Sequence, residues 1–251
     1  SLLFRGRNPS HHLYLHCFLI YSKEEIQSGQ LFLIDKPLNW TSFDVVNKIR
    51  YTLRRTYGFK KLKVGHAGTL DPLATGLLLI AVGRKTKTIQ DLMGLDKVYT
   101  GTLQLGATTP SFDLETEVDQ QFSLEGFDLE RVPEVLKTFQ GAISQVPPVF
   151  SAIKQDGKKA YELAREGTKI ELNARQVEIK SFTVELDNFP ELAFKVHCSK
   201  GTYIRSLVHD FGRALYNGAH LTALRREAIG SYSISEALTM EAFLHIFESK
   251  N

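Results

Sequence analysis

One stretch concentrates the residues that could do chemistry: Gly65-His66-Ala67-Gly68-Thr69-Leu70-Asp71-Pro72-Leu73-Ala74-Thr75-Gly76. Its glycines permit tight or positive-φ backbone and Pro72 pushes Asp71 toward an extended conformation, so the segment should be a rigid loop. Asp71 stands between Leu70 and Leu73, just before an apolar run that begins at Leu77. A carboxylate there is either the cap of a turn or a partly desolvated acid that needs a partner. A cation is on offer in Gly201-Thr202-Tyr203-Ile204-Arg205. Tyr203 and Arg205 flank an inward-pointing Ile204 and should leave the first helical turn on the opposite side, where an arginine can pair with a carboxylate. Periodicity does not say which carboxylate that is. The signatures of nucleotide and zinc chemistry, GxGxxG, GxxxxGK[ST] and HExxH, are absent. Ser151-Ala152-Ile153-Lys154 matches the S-x-x-K of serine acyl-enzymes, but neither SDN nor KTG accompanies it.

The elements that must position these residues follow from hydrophobic spacing. Leu31-Phe32-Leu33-Ile34, stopped by Lys36-Pro37, reads as a buried strand entering a turn. Thr41-Ser42-Phe43-Asp44 has the spacing of a capping box with Asp in place of Glu. Phe43, Val46, Ile49 and Leu53 then place one apolar stripe inward, and Gly58 is a natural end for that helix. Leu77–Val82 and Val98–Leu105 read as further strands. Leu192, Phe194, Val196 and Cys198, alternating with Ala193, Lys195, His197 and Ser199, give the clearest half-buried strand. Ile204, Leu207, Val208, Phe211 and Leu215 form a helical stripe that ends at Gly218. Strands and helices mix without a regular βαβ rhythm, which predicts an α+β domain with a mixed, mainly antiparallel sheet.

A chain of 251 residues with 43% hydrophobic and 24% charged side chains can build one large core, which excludes a disordered or fibrous protein. Two cysteines, Cys17 and Cys198, make neither a disulfide framework nor a metal cluster, so a reducing, cytoplasmic setting is expected. The apolar stretch Leu13–Tyr21 is broken by His16 and is far shorter than the roughly 20 residues needed to cross a bilayer. A soluble chain is therefore expected. The net charge of +3 is small, but Lys48, Arg50, Arg54, Arg55, Lys60, Lys61 and Lys63 fall in an acid-free segment interleaved with Tyr51, Tyr57 and Phe59. Such a patch is the electrostatic footprint of a nucleic-acid binder, or else a solvated helix face. Gly106–Asp119 is a loop rich in Thr, Ser and acids. Gln145-Val146-Pro147-Pro148 leads into a basic stretch with Lys154, Lys158 and Lys159, which is either an arm that closes on a polyanion or an ordinary surface excursion.

Taken together and in order, Asp35-Lys36-Pro37 through Thr41-Ser42, the block around Asp71, Lys97-Val98-Tyr99, Ser151-Ala152-Ile153-Lys154, Tyr161-Glu162-Leu163-Ala164-Arg165, Gly201-Thr202-Tyr203-Ile204-Arg205 and Leu224-Arg225-Arg226 resemble the TruB family. Its members are tRNA pseudouridine synthases that act on uridine 55 of the T loop. The resemblance runs from about residue 31 to 235 and implies the pseudouridine synthase fold. It implies that Asp71 is the essential catalytic residue, used to break the N-glycosidic bond of a uridine, after which the base turns and rejoins the sugar through carbon 5. No cofactor or metal is implied. Whether the carboxylate adds to the base, attacks the sugar or removes a sugar proton, it must be ionised, and a pairing with Arg205 would keep it so. By the same resemblance Tyr99 stacks on the target base, Tyr203 is a second aromatic beside it, and Leu224 lines the pocket. His66 enters the space left by the flipped-out nucleotide. Lys154, Lys158, Lys159 and the Lys48–Lys63 patch would contact phosphates, positioning the tRNA rather than reading bases. The family's mobile RNA-gripping insertion falls near residues 145–170.

Two departures stand out. Asn39 occupies a position where the family usually has glycine, and asparagine tolerates left-handed backbone better than most residues. Many bacterial members continue into a small C-terminal RNA-binding domain, whereas only a short segment follows Ser235. The expected division is an N-terminal extension over 1–30, a catalytic domain over 31–235 and a short tail over 236–251, with affinity left to the catalytic domain. The expected partner is tRNA, through its T stem-loop, with no membrane, no obligatory protein partner and a monomeric chain. A guide-RNA-dependent relative would need a C-terminal domain and partner proteins. The competing class is a non-catalytic RNA-binding or folding module that keeps the pocket, against which the joint retention of Asp71, Tyr99, Tyr203 and Arg205 argues.

Overall fold

The computed structural model describes residues 21–155 and 157–248; Cys17 and the apolar stretch up to residue 20 lie outside them. In chain order, α1 (Lys23–Ser28) opens on a Ser22–Glu25 capping box, β1 (Gln30–Lys36) follows, and α2 (Ser42–Tyr57) opens on the Thr41–Asp44 box. Gly58 ends α2 in left-handed conformation, the usual glycine stop. Then come β2 (Val64–His66), β3 (Ala74–Val82), α3 (Ile89–Met93) and β4 (Lys97–Leu105). The middle of the chain carries short elements: β5 (Ala107–Thr108), β6 (Gln120–Gln121), α4 (Arg131–Thr138), β7 (Gly141–Gln145), β8 (Lys154–Gln155), β9 (Lys158–Lys159) and α5 (Ala160–Arg165). The last part holds β10 (Arg175–Glu185), β11 (Glu191–Cys198), α6 (Ile204–Ala214), β12 (Ala219–Ile229), β13 (Tyr232–Ser233), β14 (Leu238–Thr239) and α7 (Met240–Glu248).

One large sheet runs in the order β14-β1-β3-β12-β4-β11-β10-β7, with β2 on β3 and β13 on β12. Only β1–β14 and β3–β12 pair in parallel among the described strands, so the fold is α+β with a mixed, mainly antiparallel sheet. Strand β3 is central and apolar on both faces, which is why its sequence runs continuously hydrophobic instead of alternating. Leu78, Ile80 and Val82 pack with α2 and α7, while Leu77 and Leu79 join Leu92 and Ile229 on the other face. A separate core gathers Phe182, Phe194, Leu103 and Leu192 under Leu207, Val208 and Phe211 of α6. The cavity described below opens where β4, β12 and the start of α6 meet.

Three expectations need correction. Phe43 is 61% exposed, and Val45, Val46, Ile49, Thr52 and Leu53 form the inward stripe of α2. At about 100° per residue, Phe43 lies roughly 120° from the centre of that stripe. Order begins before Leu31, because Ile26 of α1 is fully buried in the α2–α7 core. The segment after Glu236 is also part of the body: β14 extends the sheet and Phe243 and Phe247 of α7 pack edge-on against Phe32. The expected left-handed turn at Asn39 is present, with φ of 66°.

Gly76 is where the fold most needs a glycine. Its φ is 109°, and a Cβ there would stand 2.3 Å from the carbonyl oxygen of Arg226 on the parallel strand β12. Gly76→Ala should therefore destabilise the chain by about 1–3 kcal/mol or more, read as a lower denaturation midpoint. An unchanged midpoint would mean that β3 and β12 do not approach this closely.

Candidate active site

The loop that carries Asp71 is held residue by residue. Arg226, 2% exposed on β12, donates from Nη2 to the Gly68 carbonyl at 3.0 Å and from Nε to the Leu77 carbonyl at 2.8 Å. Ser42, the first residue of α2, accepts from the Leu70 amide at 2.9 Å and donates to the Leu70 carbonyl at 3.2 Å. The Asn39 amide donates to the Pro72 carbonyl at 2.8 Å, and the Ala74 amide to that of Asp71 at 3.0 Å. Gly68, Leu70 and Pro72 are thus tied to β12, to α2 and to the turn before α2, and Asp71 has little freedom to move.

Its carboxylate meets Arg205. Nε of Arg205 lies 3.0 Å from Oδ2 of Asp71, and the guanidinium is 4% exposed while the carboxylate keeps 44% of its surface, facing a cavity. Arg205 is anchored from behind: Nη1 donates to the carbonyls of Phe150 at 2.7 Å and Ser111 at 3.3 Å. Asp113 of the 106–119 loop lies 3.9 Å from the same Nε, and its Oδ1 accepts from Ser111 Oγ at 2.6 Å and from the Glu115 amide at 2.9 Å. Burial raises the Asp71 carboxyl above the ordinary carboxylate range, the Arg205 charge opposes this, and Asp113 and Glu115 add to the rise. The pairing with Arg205 is present as the resemblance implied, but burial outweighs it.

The cavity, about 270 Å³, gathers most of the predicted residues: Asp71, Tyr99, Tyr203, Arg205 and Leu224 all line it. Tyr99 comes from β4, opposite Arg226 of β12, and burial raises its phenol above the usual value. Leu224 stands between Ala74 of β3 and Gly101 of β4. Tyr203 precedes α6, and buried Gln145 grips its backbone twice, accepting from its amide at 2.8 Å and donating to its carbonyl at 3.0 Å. His66 does not line the cavity; it ends β2 opposite Ile80, where burial first and the Arg226 charge second hold its imidazole below the usual value. Nor do Lys154, Lys158 and Lys159, which lie on the β8–β9 hairpin with Lys158 ion-paired to Glu166 at 3.4 Å. In the Lys48–Lys63 patch, Lys48 pairs with Glu248 at 3.3 Å and Arg54 donates to the Lys60 carbonyl at 2.7 Å, so part of that charge serves the fold.

Residues 54–204 match the family model described as TruB family pseudouridylate synthase (N terminal domain). The chain belongs to the TruB family. A second model, for the tRNA pseudouridylate synthase B C-terminal domain, matches residues 205–251. The chain is similar to tRNA pseudouridine synthase B of Flavobacterium johnsoniae, with 54% identity over 88% of this chain and 96% of the relative. It is also similar to that of Chlorobaculum tepidum, with 46% identity over 86% and 90%. Among solved structures it resembles a chain of a Cbf5-Nop10-Gar1 complex at a TM-score of 0.65 and 28% identity, over 89% of this chain. It spans 56% of that solved chain, just over half its length. The two TruB matches abut between Ile204 and Arg205, within the first turn of α6, so the Asp71–Arg205 pair joins one matched segment to the other.

Sequence reasoning missed Asp113, Gln145, Arg175, Lys97 and Arg226 as parts of the site. Lys97, 6% exposed, donates to the carbonyls of Met93 and Leu95, both at 2.6 Å, closing the end of α3, and burial brings its ammonium down to about 8. Only Leu224-Arg225-Arg226 and Lys97-Val98-Tyr99 carried a signal, through the resemblance. Because Asp113 is one of the charges that raise Asp71, Asp113→Asn should lower the pH at which the Asp71 carboxyl titrates. Carbon-13 NMR of the side-chain carboxyl would show this, and an unchanged or higher titration pH would contradict the charge coupling.

Proposed function

We propose that this chain converts uridine 55 in the T loop of tRNA to pseudouridine, with Asp71 as the catalytic carboxylate. The observation that carries the reading is a carboxylate fixed at 3.0 Å from a buried arginine, at the floor of a cavity walled by two tyrosines and a leucine. A flat base can enter between Tyr99 and Tyr203 only after leaving its stack, so the nucleotide is flipped out before reaction. The reaction breaks the bond from C1′ of the ribose to N1 of uracil, forms one from C1′ to C5, releases the C5 hydrogen as a proton, and returns a proton to N1. Every route to that outcome uses Asp71 in its ionised form, and Arg205 favours that form against the penalty of burial. His66 fills the space the nucleotide leaves. Lys154, Lys158 and Lys159, on the hairpin within the 145–170 insertion, hold phosphates. The chain works as a monomer in the cytoplasm on the T stem-loop, without an obligatory protein partner. No described helix is long and apolar enough to cross a membrane.

The test is release of tritium from a T-loop stem-loop RNA labelled at C5 of the target uridine. The parent should release label and Asp71→Asn should lose at least ~100-fold in rate while still binding the RNA. Binding without release by the parent, on the stem-loop and on full-length tRNA alike, would favour a non-catalytic RNA-binding module.

A further inference from the structure

Four cationic residues line the cavity, Lys97, Arg175, Arg205 and Arg226, and three of them are committed to carbonyls or to Asp71 by the bonds given above. Arg175 is different. Its Nε and Nη2 are buried from solvent and have no hydrogen-bond partner. Its guanidinium carbon lies 4.5 Å from the centre of the Tyr203 ring, a cation–π contact that fixes the plane of the group but uses none of its N–H donors. Arg175 opens β10 and pairs in register with Gln145, the residue that grips the Tyr203 backbone, so its position is set by the sheet.

We propose that Arg175 holds a phosphate flanking the flipped-out nucleotide. The inference rests on the RNA reading above. Nε–H and Nη2–H are the parallel pair on one edge of a guanidinium, and that edge fits two oxygens of one phosphate or carboxylate. A buried guanidinium edge without an acceptor is costly, so the ligand is expected to bring one. In an RNA substrate the charged oxyanion is the phosphodiester, and the one closest to a base lying against Tyr203 belongs to the same nucleotide. Arg175 is in this view a positioning residue: it fixes the backbone of the target while Asp71 acts on its sugar–base bond.

The experiment measures binding, so it does not depend on turnover. Stem-loop RNAs carrying a neutral methylphosphonate on the 5′ or on the 3′ side of the target uridine are compared with the unmodified RNA, for the parent, Arg175→Met and Arg175→Lys. Circular dichroism and thermal unfolding establish that each variant is folded. Arg175→Met should weaken binding of unmodified RNA about 10- to 100-fold and flatten the salt dependence by about one phosphate contact. Arg175→Lys should recover only part, because it keeps the charge and loses the fork. One methylphosphonate should weaken the parent by a similar factor and leave Arg175→Met unaffected. If both methylphosphonates weaken parent and Arg175→Met equally, or Arg175→Met binds like the parent, the proposal is overturned while the functional reading stands. Failure of the parent to bind the unmodified stem-loop or tRNA would overturn both.

Discussion

A carboxylate half-enclosed by protein and paired with a buried arginine is the constraint around which this molecule is arranged. Among the described residues Asp71 has one ion-pair partner, Arg205 at 3.0 Å, and that cation is itself 4% exposed. A buried guanidinium needs acceptors for its other donors, and these come from the carbonyls of Ser111 and Phe150 in two loops remote from each other in sequence. Each of those loops needs its own support. Asp113, Ser111 and Thr116 bond among themselves and hold the first, and Ser206 holds the second by donating to the Val146 carbonyl at 2.8 Å. The pair thus recruits the loop after β5, the segment after β7 and α6 into one unit. Burial first, and then the negative charges of Asp113 and Glu115, raise Asp71 against the opposing charge of Arg205, which leaves a base stronger than a surface aspartate.

Two residues close in sequence to that pair, Leu70 and Tyr203, are fixed by the same device. Ser42 bonds to both the amide and the carbonyl of Leu70, and Gln145 does the same for Tyr203. In each case one buried polar side chain replaces the partner strand that a loop lacks, satisfying backbone groups that would otherwise be orphaned away from water. The arrangement lets an irregular backbone approach a cavity at fixed geometry without becoming part of the sheet. Arg226 extends the principle with a longer side chain, bridging Leu77 on β3 to Gly68 at the start of the loop.

These devices explain what the sequence disclosed and what it concealed. Elements with a strong period or a strong cap were legible: the Thr41 box and Gly58 bound α2, Leu192 to Cys198 alternates along β11, and Ile204 to Phe211 phases α6. The site block around Asp71 was legible because glycines, a proline and an isolated acid among apolar residues are an unusual combination. Asp113 and Gln145 were not, since a polar residue that acts once, through backbone contacts across the fold, repeats at no period and looks like loop chemistry. Ile26 was hidden for a related reason: α1 buries a single side chain, and one apolar residue has no phase. Phe43 misled because its spacing matched a stripe that packing against β3 and α7 centres elsewhere.

The placement of the basic insertion follows from the same geometry. It leaves the sheet after Gln145 at the end of β7 and returns at Arg175 at the start of β10, and those two residues are register partners. Both touch Tyr203, one through its backbone and the other through its ring face. The excursion that carries Lys154, Lys158 and Lys159 is therefore rooted on the aromatic wall of the cavity, not on a distant edge. Its α5 is tied to the 106–119 loop through the exposed Arg165–Glu115 pair, which is worth little in water. The geometry at Asp71 is coupled to the first part of the insertion, because Arg205 donates to the carbonyl of Phe150 within it and the neighbouring Ser206 to that of Val146.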